Sequence, residues 1–293
     1  MENNLNIKEI TCQTALNKLR RRIPYNWDLN IYRGCQHSCK YCFALYSHDY
    51  LNDSDYFNSI YVKTNIVEKL EVELKSKSWK REVVNIGGVT DSYQPLEAHY
   101  KIMPEILKLL FKYQTPAIIS TKSDLILRDY DLIDELSRIT YINVAATITT
   151  TDEKIRKLIE PNGCDSMKRF AMLKEFSKTN TSIGLHVMPI IPYITDGLEN
   201  LESLCLNAQK SNVSYLLPGT LNLRGKTRKY FFDFIKKEFP KLYEEILLIY
   251  PTGGAIKSYK DWLYKRFNPL REKYNISKSY SKPIKEKLQE TLF

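Results

Sequence analysis

Three cysteines stand close together in the stretch YRGCQHSCKYCFA (residues 32–44): Cys35, Cys39 and Cys42, spaced C-x3-C-x2-C. Thiolates packed this densely are soft ligands for a transition metal. Cysteine metal sites mostly bring four ligands together, and this stretch offers three. The missing fourth ligand therefore frames the chemistry.

Two answers are open. Three thiolates can hold three irons of a [4Fe–4S] cube and leave the fourth iron without a protein ligand, so that a small molecule can bind and react there. Alternatively the loop is a zinc site completed by His37 or His48. His37 lies between two of the cysteines and would strain a tetrahedron, and His48 follows Cys42 by six positions. Zinc modules more commonly carry ligand pairs separated by a longer stretch. Both histidines are expected to be loop residues beside the metal and not ligands.

The other three cysteines, Cys12, Cys164 and Cys205, are scattered. A disulfide framework belongs to short secreted chains, whereas this one has 293 residues, 43% of them hydrophobic and 27% charged, as an ordinary globular protein has. The scattered thiols are expected to be small buried apolar groups. No apolar run reaches the roughly 20 residues that span a bilayer, and MENNLNIKEITCQTALNK lacks the apolar core of a signal peptide. A cytoplasmic protein without membrane contact is expected. The formal net charge is +10; ten Lys or Arg against four Asp or Glu fall between Pro251 and Phe293, and Arg20, Arg21 and Arg22 add to the start. Such asymmetry fits a polyanionic partner, DNA or RNA, or else a solvated basic surface.

Short apolar, β-branched runs recur at 29–33, 83–89, 116–122, 142–149, 183–191 and 213–223, with helical patterns between them such as Ile66, Leu70 and Leu74. Alternating strands and helices of this kind predict a parallel sheet with right-handed crossovers. The expected fold is α/β: a partial (β/α)6 TIM-like barrel of parallel strands with a C-terminal helical extension. Its divisions are 1–22, a basic N-terminal segment; 23–225, the barrel; and 226–293, helices (Arg228–Leu248 and Tyr259–Tyr274) followed by a basic tail. Chemistry in such sheets gathers at the C-terminal strand ends. The cysteine loop follows the first strand there, Gly87-Gly88-Val89-Thr90-Asp91 ends the second, Ser120-Thr121-Lys122 the third, and Thr147 and Thr149 the fourth.

C-x3-C-x2-C ahead of a strand–helix barrel, with Tyr41 just before the last cysteine, resembles the radical S-adenosylmethionine (SAM) superfamily. The resemblance implies that Cys35, Cys39 and Cys42 hold a [4Fe–4S] cluster and that SAM chelates the open iron. It also implies an external electron donor such as flavodoxin or ferredoxin, and cleavage of SAM to a 5'-deoxyadenosyl radical that abstracts hydrogen from a substrate. Gly87 and Gly88 match the family's glycine-rich segment, whose backbone meets SAM's ammonium; Thr90 and Asp91 stand where glutamate is commoner. Lys122 is suited to SAM's carboxylate, Thr147 and Thr149 to its ribose, and the strands around His186–Met188 and Leu216–Gly219 to adenine. Arg156 and Glu160, four apart on a helix, are expected to pair with each other. No catalytic residue is singled out.

GGVTDSYQPLE (87–97), STKSDLILRDYDLI (120–133), TDEKIRKLIEP (151–161), MPIIPYITD (188–196) and FIKKEFPKLYEEILLIY (234–250) resemble the spore photoproduct lyase-like, DNA repair photolyase-type family from about residue 23 to 275. That resemblance implies a hydrogen-donating cysteine three positions before Asp91, and the residue there is Gly88. A substrate other than the spore thymine dimer is therefore expected. In the T-D-x-Y-Q-P-x-E pattern, Asp91, Tyr93, Gln94 and Glu97 would line the barrel mouth; the alternative is a turn before a helix, with Asp91 capping and Pro95 in its first turn. Three functions stay open: radical chemistry on a nucleic acid, the same chemistry on a peptide or small molecule, and a non-enzymatic zinc or iron–sulfur module that binds nucleic acid.

Overall fold

The computed structural model describes residues 5–20 and 23–280, so Arg21, Arg22 and most of the basic tail lie outside the described residues. The strands are β1 (Asn6–Ile10), β2 (Leu16–Lys18), β3 (Trp27–Leu29), β4 (Tyr32–Arg33), β5 (Ser59–Lys63), β6 (Val84–Ile86), β7 (Ala117–Thr121), β8 (Ile142–Thr147), β9 (Ser182–Ile190) and β10 (Tyr215–Thr220). Seven form one sheet in the order β10-β9-β8-β7-β6-β3-β2. Its six strands from β3 to β10 run parallel, each beside its predecessor, and β2 adds an antiparallel edge. This is the six-unit partial barrel expected from the alternation of runs.

The helices are α1 (Ile66–Lys75), α2 (Glu97–Tyr100), α3 (Ile102–Lys112), α4 (Tyr130–Ile139), α5 (Glu153–Ile159), α6 (Ser166–Phe176), α7 (Leu198–Lys210), α8 (Lys226–Glu238), α9 (Tyr243–Ile249) and α10 (Lys257–Lys273). Side-chain caps set two of the starts that matter for the site. Asp152 accepts from the backbone of Lys154 and Ile155 before α5, and Asp165 from Met167 and Lys168 before α6. The expected helix from Arg228 to Leu248 is broken at Phe239-Pro240, because proline has no backbone donor to continue it. Among the described residues no helix is long and apolar enough to cross a membrane.

The run LNIYR was expected as one strand and is two. Trp27–Leu29 joins the large sheet, whereas Tyr32–Arg33 pairs with β5 in a separate sheet ordered β1-β5-β4. The chain thus steps sideways out of the barrel immediately before the first cysteine.

Register places the barrel residues on two faces. Leu29, Ile86, Ile119, Val144 and Ile183 align on one side, all essentially buried and apolar, where the helices pack. The alternate positions Asp28, Asn85, Ile118, Asn143 and Ser182 align on the other, followed by the Ser120–Ala145–Gly184–Tyr215 row. The barrel lumen is therefore polar and partly filled by small residues, unlike the branched apolar packing usual in closed barrels. Gly184 is needed in it, since a Cβ would stand 2.2 Å from the Tyr215 hydroxyl. Gly184→Ala is expected to cost about 1–3 kcal/mol by overpacking. An unchanged midpoint in chemical denaturation would contradict this packing.

Candidate active site

Cys35, Cys39 and Cys42 line one cavity of about 410 Å³ at the C-terminal ends of the parallel strands. Its wall also includes Tyr41, Gly87, Gly88, Thr90, Asp91 and Lys122, and Thr147 and His186 further along the sheet. The residues singled out from the sequence are thus brought together, although they come from five different strand ends and loops. All six cysteines are free thiols. Of the scattered three, Cys205 is buried as expected, whereas Cys12 and Cys164 are only half-buried, and Cys12 bonds the side chain of Asn65.

Burial dominates the thiol chemistry. It pushes Cys35 up to about 12, helped by the nearby Asp91 carboxylate and the Cys42 thiol. It also raises Cys39 well above the ordinary thiol range, and Cys42 in the same direction. Buried thiols of this kind become thiolates when a metal's positive charge replaces the lost hydration, so the donor set fits an iron–sulfur cluster. Neither histidine competes for it. The ring of His37 lies 3.0 Å from Asp91 Oδ2 and 3.1 Å from the Asn162 carbonyl, and His48 Nε2 is 2.9 Å from the Ser59 carbonyl. Among the described residues no three Cys, His, Asp or Glu side chains converge to hold a single metal ion.

The cysteine loop is gripped by the segment after β6. Thr90 Oγ1 donates to the Gly34 carbonyl at 2.6 Å, and the Gly34 peptide is itself tightly enclosed by Tyr56 and Ser59. Gln94 Oε1 accepts from the Gln36 amide at 2.9 Å, and Gln36 Oε1 accepts from the Leu96 amide at 2.7 Å. Glu97, fully buried, accepts from the Tyr32 hydroxyl at 2.5 Å and pairs with Arg128 at 2.8 Å. Tyr93 donates to Asp129. The T-D-x-Y-Q-P-x-E residues are therefore mostly a clamp on residues 32–37.

Asp91, in the cavity wall, is hydrogen-bonded from several sides. Its Oδ1 accepts from the Tyr93 amide (2.9 Å) and the Thr121 hydroxyl (2.8 Å), and its Oδ2 from the Lys122 amide (2.8 Å) and faces His37. Burial opposes its charge, but His37 and these amides hold its carboxyl well below the usual range. These bonds brace β7 against the cysteine loop. Gly87 has φ +86, where a Cβ would stand 2.9 Å from the Thr90 carbonyl, and a Cβ on Gly88 would meet Asp28 Oδ2 at 2.5 Å. The turn and the packing beneath it already require these glycines.

The side chains of Arg156 and Glu160 do not pair, although Arg156 donates to the Glu160 carbonyl. Arg156 bonds Glu153 at 2.7 Å and two backbone carbonyls, whereas Glu160 is turned inward to Arg169 of α6 at 2.6 Å. Glu160 is the residue that ends α5, so it has left the helical face on which i,i+4 partners meet. It also receives a short hydrogen bond from the Tyr41 hydroxyl, and Arg169 NH1 reaches the Thr147 carbonyl at 2.7 Å. This chain links the cysteine loop to the end of β8. Burial works against the charge of Glu160, but Arg169 and Lys122 hold its carboxyl below the ordinary range.

Lys122 is half-buried, its ammonium 5.8 Å from the centre of the Tyr41 ring. Burial alone would lower it; Cys39, Glu160 and Asp91 outweigh that and hold it raised, so it keeps its proton. No carboxylate among the described residues lies within ion-pair distance of it. Burial, with the Lys122 charge nearby, pulls His186 down to about 4, so this ring is neutral near pH 7. Thr149 is buried outside the cavity wall, and the sixth strand contributes Thr220 and Asn222 at its end, not Leu216–Gly219. Sequence reasoning also missed Tyr56, whose hydroxyl donates to the Val89 carbonyl at 2.6 Å under the cysteines. A lone tyrosine beyond the loop carries no signal in the sequence.

The radical SAM superfamily model matches residues 29–205, from the end of β3 into α7. The chain belongs to the radical SAM superfamily. An uncharacterised protein of Mycobacterium tuberculosis is 32% identical over 275 residues, spanning 92% of this chain and 81% of its own. Another from Methanocaldococcus jannaschii is 29% identical over 262 residues, spanning 89% and 93%. Among solved structures, spore photoproduct lyase complexed with dinucleoside spore photoproduct matches with TM-score 0.68 over 93% of this chain and 80% of that one, at 13% identity. The shared fold is that of a radical SAM enzyme, and membership implies a [4Fe–4S] cluster and SAM.

In this radical SAM protein, Glu160→Ala leaves the Arg169 charge buried without its partner. It is expected to cost about 3–5 kcal/mol of stability. A drop in melting temperature of only a degree or so would show that the pair does not brace the site.

Proposed function

We propose that Cys35, Cys39 and Cys42 hold three irons of a [4Fe–4S] cluster, that SAM occupies the adjoining cavity, and that the substrate is a nucleic acid. The observation that carries this reading is the convergence of three thiols, two of them buried, and one charged lysine with no ion-paired carboxylate on a single cavity. When bound, the cluster supplies the electron that splits SAM to methionine and a 5'-deoxyadenosyl radical.

The chain's own contributions follow from its chemistry. The thiols bind the metal, and the clamp of Thr90, Asp91, Gln94 and Glu97 orients them. Lys122 offers its ammonium to the carboxylate of SAM as a charge-assisted hydrogen bond. Thr147, at the end of β8, offers a hydroxyl to the ribose. His186, neutral, and the amide of Asn222 offer hydrogen-bonding edges to adenine. Buried Tyr41 and Tyr56 exclude water from the cysteines. The electron comes from an external donor of flavodoxin or ferredoxin type.

A nucleic acid is favoured by the +10 net charge and by the likeness to a lyase whose solved structure holds a dinucleoside. Gly88 stands where the lyase-like pattern implies a hydrogen-donating cysteine, and this supports a substrate other than the spore thymine dimer.

Replacing any one of Cys35, Cys39 or Cys42 by Ala is expected to abolish both the visible absorption of the reconstituted cluster and 5'-deoxyadenosine formation. Lys122→Ala is expected to keep the absorption but raise KM for SAM about 10- to 100-fold, the worth of ~1.5–3 kcal/mol for a hydrogen bond to a charged group. Cleavage of SAM by a protein lacking all three cysteines would end the proposal.

A further inference from the structure

The turn before β5 places Tyr56 beneath the cysteine loop. Its side chain is buried, and it shares the cavity wall with Cys35, Cys42 and Val89. Three contacts hold it there. Its carbonyl accepts from the Cys35 amide at 3.3 Å, and its ring meets that of His48 edge-on at 4.9 Å. It also packs with Cys35, Ala44 and Leu45 in a small apolar cluster, against which Cys42 and Val89 lie. A phenylalanine would exclude water from this place equally well, so the buried hydroxyl calls for an explanation of its own.

That hydroxyl has one proton to give and two acceptors within its reach. The structure directs it to the Val89 carbonyl at 2.6 Å. The other acceptor is the Cys42 sulfur. Burial raises the Cys42 thiol, and the Ala44 amide, the Lys122 charge and the Tyr56 hydroxyl oppose it. Burial, with the sulfurs of Cys42 and Cys35 nearby, holds Tyr56 itself well above its ordinary range, so the hydroxyl stays a donor. Cys35, by contrast, is served by the backbone amides of His37 and Asp91. A carbonyl is a neutral acceptor and a thiolate a charged one, so the balance moves toward sulfur when Cys42 ionises on binding metal.

We propose that Tyr56 is a positioning residue for reduction of the cluster. Its hydroxyl donates to the Cys42 sulfur once that sulfur ligates iron, and so favours the reduced state, which carries one more negative charge. Hydrogen bonds to ligating sulfur are among the levers that set the potential of an iron–sulfur cluster. The electron comes from the external donor, and no proton leaves the hydroxyl. The effect falls on how readily the cluster is reduced and not on whether the thiols hold it. This rests on the cluster reading above and goes beyond it by naming a side chain outside the cysteine motif that acts on the same sulfur.

The test uses the full chain reconstituted with iron and sulfide without oxygen and titrated with dithionite in the presence of redox mediators, the reduced fraction being read by electron paramagnetic resonance. Tyr56→Phe removes one oxygen and keeps the ring and the carbonyl bond to Cys35. It should load the same iron and sulfide as wild type. At the wild-type midpoint its ratio of reduced to oxidised cluster should fall about three- to tenfold, tenfold corresponding to about 59 mV for one electron. Electron–nuclear double resonance of the reduced wild-type cluster should show an exchangeable proton, replaced in D2O, that is missing from Tyr56→Phe. An unshifted midpoint in a loaded Tyr56→Phe protein would overturn the proposal. So would a reduced wild-type cluster with no exchangeable proton coupled to it, whatever the variant does. A wild-type protein that takes up no cluster would overturn the cluster reading itself.

Discussion

Burial raises all three thiols of the cysteine loop, and positive charge drawn close to them favours the thiolate; that opposition organises the site. The cysteine loop is short and rich in polar backbone that no regular strand or helix satisfies. Its groups are met from two sides instead. The segment from Thr90 to Glu97 bonds Tyr32, Gly34, Gln36 and His37. From the other side, the Lys40 amide donates to the Ile159 carbonyl, and the Asn162 side chain donates to the Gln36 carbonyl at 2.7 Å. Each bond contributes about 0.5–1.5 kcal/mol, more where a charge is involved, so the loop is held rigid by many modest terms. Preorganised ligands need no rearrangement when the metal arrives.

The barrel contributes a division of labour between its faces. Aligned Leu, Ile and Val residues turn outward to the helices and make the core, which frees the inner face for Asp, Asn, Ser and Tyr. An inner face of this kind is unfavourable unless its polar groups are hydrogen-bonded to one another or to a ligand. The Asp28–Asn85 and His186–Tyr215–Asn143 contacts meet part of that need.

Much of this was legible in the residues. The cysteine spacing, the six alternating units, and the polar strand ends at Gly87–Asp91, Ser120–Lys122 and Thr147 all correspond to what the structure brings together. The misreadings have physical causes. LNIYR looks like one strand because its apolar content is continuous, yet Asn30 and Ile31 carry the chain from one sheet to another. Arg156 and Glu160 have helical spacing, but the helix stops at Ile159 and frees Glu160 to meet Arg169 of the next element. That Asp91 also ties β7 to the cysteine loop shows only in the folded chain. The polar lumen is hidden because Ala, Gly and Ser leave little alternation to detect in β7 to β9.

The central claim is an iron left open by three-cysteine ligation, and electron paramagnetic resonance of the reduced, oxygen-free reconstituted protein tests it most directly. A [4Fe–4S]+ signal whose g-values shift when SAM is added, with coupling to nitrogen-15 in the labelled amino group of SAM, is the predicted result. A cluster signal unchanged by SAM, or a protein that takes up only a mononuclear ion, would contradict the account.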